Sequence, residues 1–198
     1  MPKLEHPSRR LLIASALAAS ALPLAARYGA IAAGLAPTPA CHDGDAPTEE
    51  QIEGPFFKPR SPMRADLVEA RTRGRVFEVS GQVVTRSCRP VANALLDLWH
   101  ADENGDYDND GFTYRGHLFA DADGRYRFKT IVPAPYPGRT RHYHFKVQAP
   151  SRPILTTQLY FPGEPLNIFD DFYTPEMEMR VEGVPSTSGR FDFVLDLP

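Results

Sequence analysis

Prolines recur along the whole of this chain and restrict it to short secondary-structure elements. There are 20 of them in 198 residues, and a proline inside a helix removes a hydrogen bond and clashes with the preceding turn. Between them lie short apolar or alternating stretches separated by turn residues. We predict strands over residues 76–84, 92–99, 126–131, 142–147, 155–161 and 191–197. This pattern predicts an all-β antiparallel sandwich or barrel, of which we expect the β-sandwich, with long loops and little helix.

Two details of the pattern carry predictions of their own. Gly81 lies inside the first predicted strand and indicates a bulge or bend there. Residues 118–119, the Gly-containing turn 121–124 and the strand 126–131 together predict a β-hairpin.

The first 40 residues have the features of an export signal. They carry four Lys or Arg residues against one Glu, a net charge of 4 − 1 = +3. The pair Arg9-Arg10 precedes an apolar run over 11–26, which Pro23 interrupts and which falls short of the roughly 20 residues of a membrane-spanning helix. We therefore predict a signal peptide of the twin-arginine type over residues 1–40 and an exported protein, periplasmic or extracellular. An uncleaved membrane anchor is the alternative.

The rest of the chain divides into an N-terminal linker and arm over residues 41–75 and a β-sandwich domain over residues 76–198. About 155 residues are enough for one domain with its own core. The whole chain has a net charge of −3, so the part after residue 40 has −3 − 3 = −6. This acidic balance argues against nucleic acid as a partner.

The sequence contains two cysteines, Cys41 and Cys88. In an oxidising compartment they could form a disulfide, worth roughly 4 kcal/mol of stability on the loop-entropy model. A lipid on Cys41 and two free thiols are the alternatives. Their spacing matches no metal-binding cysteine motif.

The tripeptide His142-Tyr143-His144 is the strongest indication of chemistry. In a strand, residues two apart project from the same face, so both imidazoles could bind one metal ion. The alternative is a pair of polar side chains on a solvated face with Tyr143 in the core.

Two tyrosines near this pair in the sequence offer oxygen ligands. Tyr136 is restricted by prolines on both sides, although it could instead be a turn residue that covers a sheet edge. Tyr107 lies in the acidic, glycine-bearing stretch 104–111, which resembles a calcium loop but lacks the carboxylate at its last position. Phenolate oxygens suit a hard ferric ion, so a site with mixed nitrogen and phenolate ligands is the first hypothesis.

Other polar residues have open roles. His100 and His117 are candidates for a third imidazole, or for supporting and structural roles. Arg139 could turn towards the metal and stabilise a developing anion, or be a surface charge. Gln158 carries no signal of its own.

Several ordered motifs resemble the intradiol ring-cleavage dioxygenases. The resemblance covers about residues 47–165, and its order and spacing are highly specific. It is carried by residues 53–57, 96–102, 105–107, 115–116, 121–133, 136, 142–144 and 155–158. The chain lacks the long helical N-terminal region of the catechol 1,2-dioxygenase branch and is more similar to the protocatechuate 3,4-dioxygenase type. An export signal would place it in an exported subgroup.

The resemblance implies a catalytic β-sandwich that cleaves a catechol-type ring between its two hydroxylated carbons with O2, to a cis,cis-muconate-type diacid. It implies a non-haem Fe(III) ion with four protein ligands: Tyr107, Tyr136, His142 and His144. Tyr136 is expected to leave the metal when substrate binds, and Arg139 and Gln158 are expected to support catalysis. The implied partners are a catechol and O2. We expect no nucleic acid as a partner and contact with a membrane only through the export signal. The sequence is compatible with a homo-oligomer.

The chain departs from the family pattern at a few positions that are not ligands. Thr140-Arg141 stands where the family often has Pro-Ala, and Leu118 and Ala120 stand where it often has Gln and Thr. The resemblance therefore does not determine the shape of the substrate pocket. Three other readings remain: a cupin-like metalloenzyme, a non-catalytic transthyretin-like β-sandwich binding module, and the same iron site with different chemistry. No histidine follows His144, which disfavours the cupin.

Overall fold

The computed structural model describes residues 46–183 and 185–198, and nine strands within them form two sheets. The strands are β1 Val76–Thr85, β2 Leu95–Trp99, β3 Arg115–Phe119, β4 Arg125–Ile131, β5 His142–Gln148, β6 Ile154–Tyr160, β7 Arg180–Glu182, β8 Ser188–Arg190 and β9 Phe193–Leu195. One sheet has the order β4-β1-β8-β7, with β9 also paired to β1, and the other has the order β3-β2-β5-β6. The helical residues are two 3₁₀ turns, Asn167–Phe169 and Pro175–Met177.

The two sheets bury alternate residues against each other, as the period of two in their sequences requires. Phe77 and Val79 of β1 are fully buried, as are Tyr143 and Phe145 of β5. The rings of Phe77 and Tyr143 lie 6.4 Å apart across the interface. Each such side chain contributes about 1.5–3 kcal/mol through burial. The predicted β-sandwich with little helix is confirmed.

The predicted hairpin over residues 118–131 is wrong. The tight turn exists, because Asp121 N–H donates to Arg125 O at 3.0 Å and Gly124 N–H donates to Asp121 O at 3.0 Å. However, β3 pairs with β2 and β4 pairs with β1. The chain therefore crosses from one sheet to the other at this turn.

Gly81 allows another part of the backbone to approach β1. The pairing with β4 runs through Gly81 without an extra residue, so no bulge occurs on that side. A Cβ at this position would lie 1.7 Å from the carbonyl oxygen of Phe191. On this side, β1 pairs in parallel with β8 as far as Ser80 and with β9 from Val83 onwards. The glycine is needed for this close approach.

The N-terminal arm, defined here as residues 46–75, borders strands of both sheets and crosses the outer face of the four-stranded sheet, where Phe57 packs on Trp99. Gln51 N–H donates to Thr156 O at 2.8 Å and His117 N–H donates to Pro62 O at 3.0 Å. Further back, Thr48 N–H donates to Val194 O at 2.8 Å. The outer face therefore meets protein and not solvent over much of its area.

Two of the N-terminal predictions fall outside the described residues. Residues 1–40, which carry the predicted export signal, are not among them, and neither is Cys41. Cys88 is disulfide-bonded. Within residues 46–183 and 185–198, no helix has the length and apolarity needed to cross a membrane.

Candidate metal centre

His142 and His144 lie side by side on the outer face of β5, as the period of two predicts. Their Nε2 atoms are 3.1 Å apart, and each residue is 2% exposed. Tyr143, between them, points into the core and its hydroxyl donates to Ile131 O at 2.7 Å. The solvated-face alternative is therefore wrong, because both imidazoles are buried beneath the arm and the neighbouring loops.

Tyr107 brings its phenol oxygen to the same point. Its Oη lies 3.1 Å from His144 Nε2 and 3.4 Å from His142 Nε2. Phe56 of the arm stacks on its ring with centroids 4.4 Å apart and planes 14° apart. The buried Arg115 guanidinium secures this stack, because Nη1 donates to Phe56 O at 2.7 Å and Nε donates to Asp108 O at 2.9 Å.

The acidic residues around Tyr107 shape its loop. Asp102 accepts the backbone N–H groups of Asn104 at 2.7 Å and Asp106 at 3.0 Å, which is the geometry of turns built on an aspartate side chain. Asp108 accepts the N–H of Thr113 at 2.9 Å. These turns account for the acidic pattern without a calcium ion.

Lys58 fastens the same loop from the arm. Its ammonium donates to the carbonyl oxygens of Asp110 at 2.6 Å and Gly111 at 2.8 Å. It also lies 4.5 Å from the centre of the Phe112 ring. Lys58 and the Phe56 stack therefore both hold the Tyr107 loop against the arm.

Tyr136 begins a four-residue turn that Arg139 closes. Arg139 N–H donates to Tyr136 O at 2.9 Å, and Gly138 has φ +79°, as the third residue of a type II turn with Pro137 before it. The Tyr136 ring centre lies 5.9 Å from that of Tyr107 and 5.7 Å from that of His142. The turn therefore places the second phenol beside the histidine pair.

Arg139 is directed to the site by a carboxylate that sequence reasoning missed. Asp170, whose side chain is fully buried, accepts from Arg139 Nε at 2.9 Å and from the backbone N–H of Thr140 at 2.9 Å. Arg139 Nη2 donates to Gln158 Oε1, and Nη1 lies 3.5 Å from Tyr136 Oη. Gln158 is itself fully buried on β6, directly opposite His144. Arg139 is therefore an oriented cation whose side chain is only 11% exposed.

The electrostatics of the site favour neutral imidazoles. Burial, assisted by the positive charge of Arg139, lowers the pKa of His142 to about 3, and burial lowers the pKa of His144 well below its usual value. Burial and the adjacent Tyr136 phenol raise the pKa of Tyr107 in the absence of a metal. For Arg139, burial acts to lower the pKa, but the Asp170 carboxylate outweighs it and raises the pKa.

These donors fit a single metal ion. Donor atoms that bind one first-row metal ion at about 2.1 Å and at right angles lie about 3.0 Å apart, close to the 3.1–3.4 Å separations among His142, His144 and Tyr107. His142 Nδ1 donates to Thr140 O at 2.7 Å, so its Nε2 keeps a free lone pair that faces the other donors. In the described part of the chain no group of three or more His, Cys, Asp and Glu side chains could hold a metal, so the tyrosine oxygens are needed to complete the set.

The other two candidate histidines have structural partners. His100 is buried, with Nε2 2.6 Å from Thr130 Oγ1 and Nδ1 2.7 Å from Ala101 O. Burial lowers its pKa to about 4. His117 Nδ1 lies 3.1 Å from Ser61 Oγ of the arm. Neither His100 nor His117 joins the donor set, so both have the supporting or structural role that was the alternative to a third imidazole ligand.

Comparison with known proteins places this arrangement in a family. A family model described as Dioxygenase matches residues 52–196. The hydroxyquinol 1,2-dioxygenase of Nocardioides simplex is 32% identical over 178 residues, which are 74% of this chain and 60% of that protein. In four hydroxyquinol and catechol 1,2-dioxygenases that it matches, the matched stretch covers 47% to 60% of the relative's length.

Solved structures agree with the sequence matches. The dioxygenase domain of a dioxygenase–carbohydrate-binding protein fusion from Streptomyces sp. SirexAA-E is 54% identical, with a TM-score of 0.75 over 77% of this chain and 100% of that one. The 3-chlorocatechol 1,2-dioxygenase of Rhodococcus opacus 1CP is 26% identical, with a TM-score of 0.69 over 76% of this chain and 73% of that one. The family match, the shared fold and the convergence of Tyr107, Tyr136, His142 and His144 lead to one assignment: this chain belongs to the intradiol ring-cleavage dioxygenase family.

Proposed function

We propose that this protein is a non-haem Fe(III) dioxygenase that cleaves a catechol-type ring between its two hydroxylated carbons with O2, to a cis,cis-muconate-type diacid. The observation that carries the proposal is the meeting of Tyr107 Oη with the Nε2 atoms of His142 and His144 at 3.1–3.4 Å, with the oriented Arg139 beside them. Tyr107, Tyr136, His142 and His144 would hold the iron. When bound there, ferric iron would act as a Lewis acid towards the catechol oxygens and would make the ring reactive towards O2.

The two tyrosines have different tasks in this proposal. Tyr107 stays in place, because Phe56 stacks on it and Arg115 holds that stack. Tyr136 belongs to a turn whose Pro137 and Gly138 are exposed. It therefore has room to move aside and to take up a catechol proton at its Oη.

Arg139 stabilises negative charge that develops on the substrate. Its guanidinium reaches Tyr136 Oη at 3.5 Å while Asp170 fixes its Nε edge, so one nitrogen stays directed at the position that Tyr136 vacates. Gln158 Nε2 donates to Ile52 O at 3.2 Å, which holds the amide so that its oxygen accepts from Arg139. Gln158 thus orients the cation.

A visible absorption spectrum of the purified protein, with iron quantified before and after anaerobic catechol, tests the proposal. We expect a wine-red protein with about one iron per chain, because a ferric ion bound to phenolate absorbs in the visible, and a red shift of the band on addition of catechol. Admission of O2 should then yield a ring-opened diacid. A protein that stays colourless after ferric reconstitution would contradict the phenolate site and favour a transthyretin-like binding module.

We also propose that the protein is exported, on the grounds of Arg9-Arg10 and the apolar run 11–26. Fractionation of expressing cells should find the protein outside the cytoplasm. A variant with Lys-Lys in place of Arg9-Arg10 should stay in the cytoplasm. An unchanged distribution of that variant would contradict a twin-arginine signal.

Gly138→Ala tests the turn that joins Tyr136 to Arg139. An added Cβ meets nothing within 4 Å, so the penalty comes from the positive φ, about 1–2 kcal/mol of unfolding free energy. Gly163→Ala is the matched control, since Gly163 also follows a proline, has φ +72° and has open space for a Cβ. Both variants should lose similar stability in urea unfolding, but only Gly138→Ala should alter the iron–tyrosinate band and turnover. Equal spectral changes in the two would show that the turn has no special link to the site.

A further inference from the structure

We propose that Trp99 is a positioning residue that fixes the plane of the His144 ring by stacking, in place of the hydrogen bond that this imidazole lacks. The inference rests on the proposed iron site. It assigns a role to a buried aromatic residue that touches no reacting atom.

The two histidines differ in how their remote nitrogens are satisfied. His142 Nδ1 donates to Thr140 O at 2.7 Å, which fixes both its tautomer and its ring orientation. His144 Nδ1 is buried and has no hydrogen-bond partner among the described residues. Metal-binding histidines almost always use this nitrogen for an orienting hydrogen bond. His144 needs another means of orientation.

Trp99 supplies a flat surface against His144. The two residues are directly opposite each other in the pairing of β2 with β5. Their ring centres lie 4.9 Å apart with planes only 6° apart, and Trp99 is 1% exposed. Phe57 of the arm packs on Trp99 with centroids 4.9 Å apart, so the indole is itself held in place.

Other neighbours close the remaining sides of the His144 ring. The His142 ring meets it nearly at right angles, with centres 4.7 Å apart. A Cβ placed on Gly54 would lie 3.5 Å from His144 Cε1, so the arm backbone runs along that edge. The Nε2 lone pair lies in the ring plane, and a tilt of the ring would turn it away from the point that Tyr107 Oη reaches at 3.1 Å. Stacking on Trp99 prevents this tilt.

The indole N–H does not explain the presence of Trp99. Nε1 is buried and has no hydrogen-bond partner in residues 46–183 and 185–198. A buried donor without a partner is unfavourable, and phenylalanine or leucine would avoid it. The large flat ring is therefore the property that the site uses.

Variants at Trp99, with ferric iron as the probe, test the inference. We expect Trp99→Leu to fold without metal but to bind iron about 10–100-fold more weakly in competition with a chelator, the range found when the partner of a metal-binding histidine is removed. Its iron–tyrosinate band should shift and broaden, because His144 is no longer fixed. Trp99→Phe keeps a stacking ring and should restore most of the affinity and the band.

Phe128→Leu is the matched control for lost packing. Phe128 is a fully buried aromatic residue of β4, in the other sheet. Its replacement by leucine should lower the stability of the fold without removing a contact to the site. Wild-type affinity and spectrum in Trp99→Leu would overturn the inference alone. Equal losses of iron affinity in Trp99→Leu and Phe128→Leu would also overturn it, because the loss would then come from reduced stability of the fold and not from the missing stack on His144. Absence of the band from the wild-type protein would overturn the proposed iron site and this inference together.

Discussion

Replacement of His142 or His144 by alanine is expected to abolish the retention of iron at the proposed site. Each imidazole provides one donor of the set that meets within 3.1–3.4 Å. Loss of a ligand should lower iron affinity by more than the roughly 10–100-fold that follows loss of a residue that orients a ligand. Iron content after dialysis against a chelator is the measurement, with circular dichroism of the metal-free proteins to show that they fold.

His117→Ala is the control for this experiment. His117 is another histidine on the outer face of the same sheet, and its Nδ1 lies 3.1 Å from Ser61 Oγ and not in the donor set. This variant should keep its iron and its colour. Full iron retention in either His142→Ala or His144→Ala would remove that histidine from the site.

Tyr136→Phe is expected to keep part of its iron but to turn over slowly. Tyr107 and the two histidines still bind, so the protein should remain coloured, with a weaker band. The phenol that we propose to move aside and to take up a catechol proton is missing, and such proton transfer typically contributes about 10²–10⁴-fold to the rate. Stopped-flow measurement of anaerobic catechol binding, together with steady-state kcat, separates the binding step from later chemistry.

Tyr173→Phe is the control for the loss of a tyrosine hydroxyl. The Tyr173 hydroxyl, the only group that this substitution removes, donates to Glu178 at 2.8 Å and is not part of the proposed iron site. The variant should leave the rate and the spectrum unchanged. Full activity in Tyr136→Phe would show that Tyr136 is not the departing ligand.

The histidine pair and the strands around it follow from the sequence because they depend on a period of two. The same alternation that buries Phe145 in the core directs His142 and His144 to the outer face. The roles of Tyr107 and Tyr136 needed the family resemblance, since turn chemistry alone holds a tyrosine in a loop but does not give it a partner.

Asp170 and Trp99 could not be predicted in the same way. Asp170 lies in an irregular segment and meets Arg139 31 positions away, a pairing that no local pattern encodes. Trp99 looks like any apolar residue at the end of a strand, and only the register of β2 on β5 places it on His144.

The hairpin error and the missed strands have physical causes too. The turn 121–124 has the hydrogen bonds of a tight turn, but turn chemistry does not decide which sheet receives the next strand. The strands β7 and β8 have three residues each and are too polar for an alternating pattern. Long-range packing decides both features.

The way in which the arm is fastened has a consequence for the order of events during synthesis. Thr48 bonds to Val194, 146 residues later, and the arm carries the residues that cover Tyr107 and His144. At about 5–20 residues per second the ribosome needs on the order of ten seconds to make the chain between them. After His144 is made, 194 − 144 = 50 residues remain up to Val194. Until then the donors have no completed cover, so they meet the ions of whatever compartment surrounds the chain. Nitrogen and oxygen donors bind several first-row metals, and copper more tightly than iron. If the proposed site is metal-binding, the place where the last strand forms would therefore influence which metal it takes up.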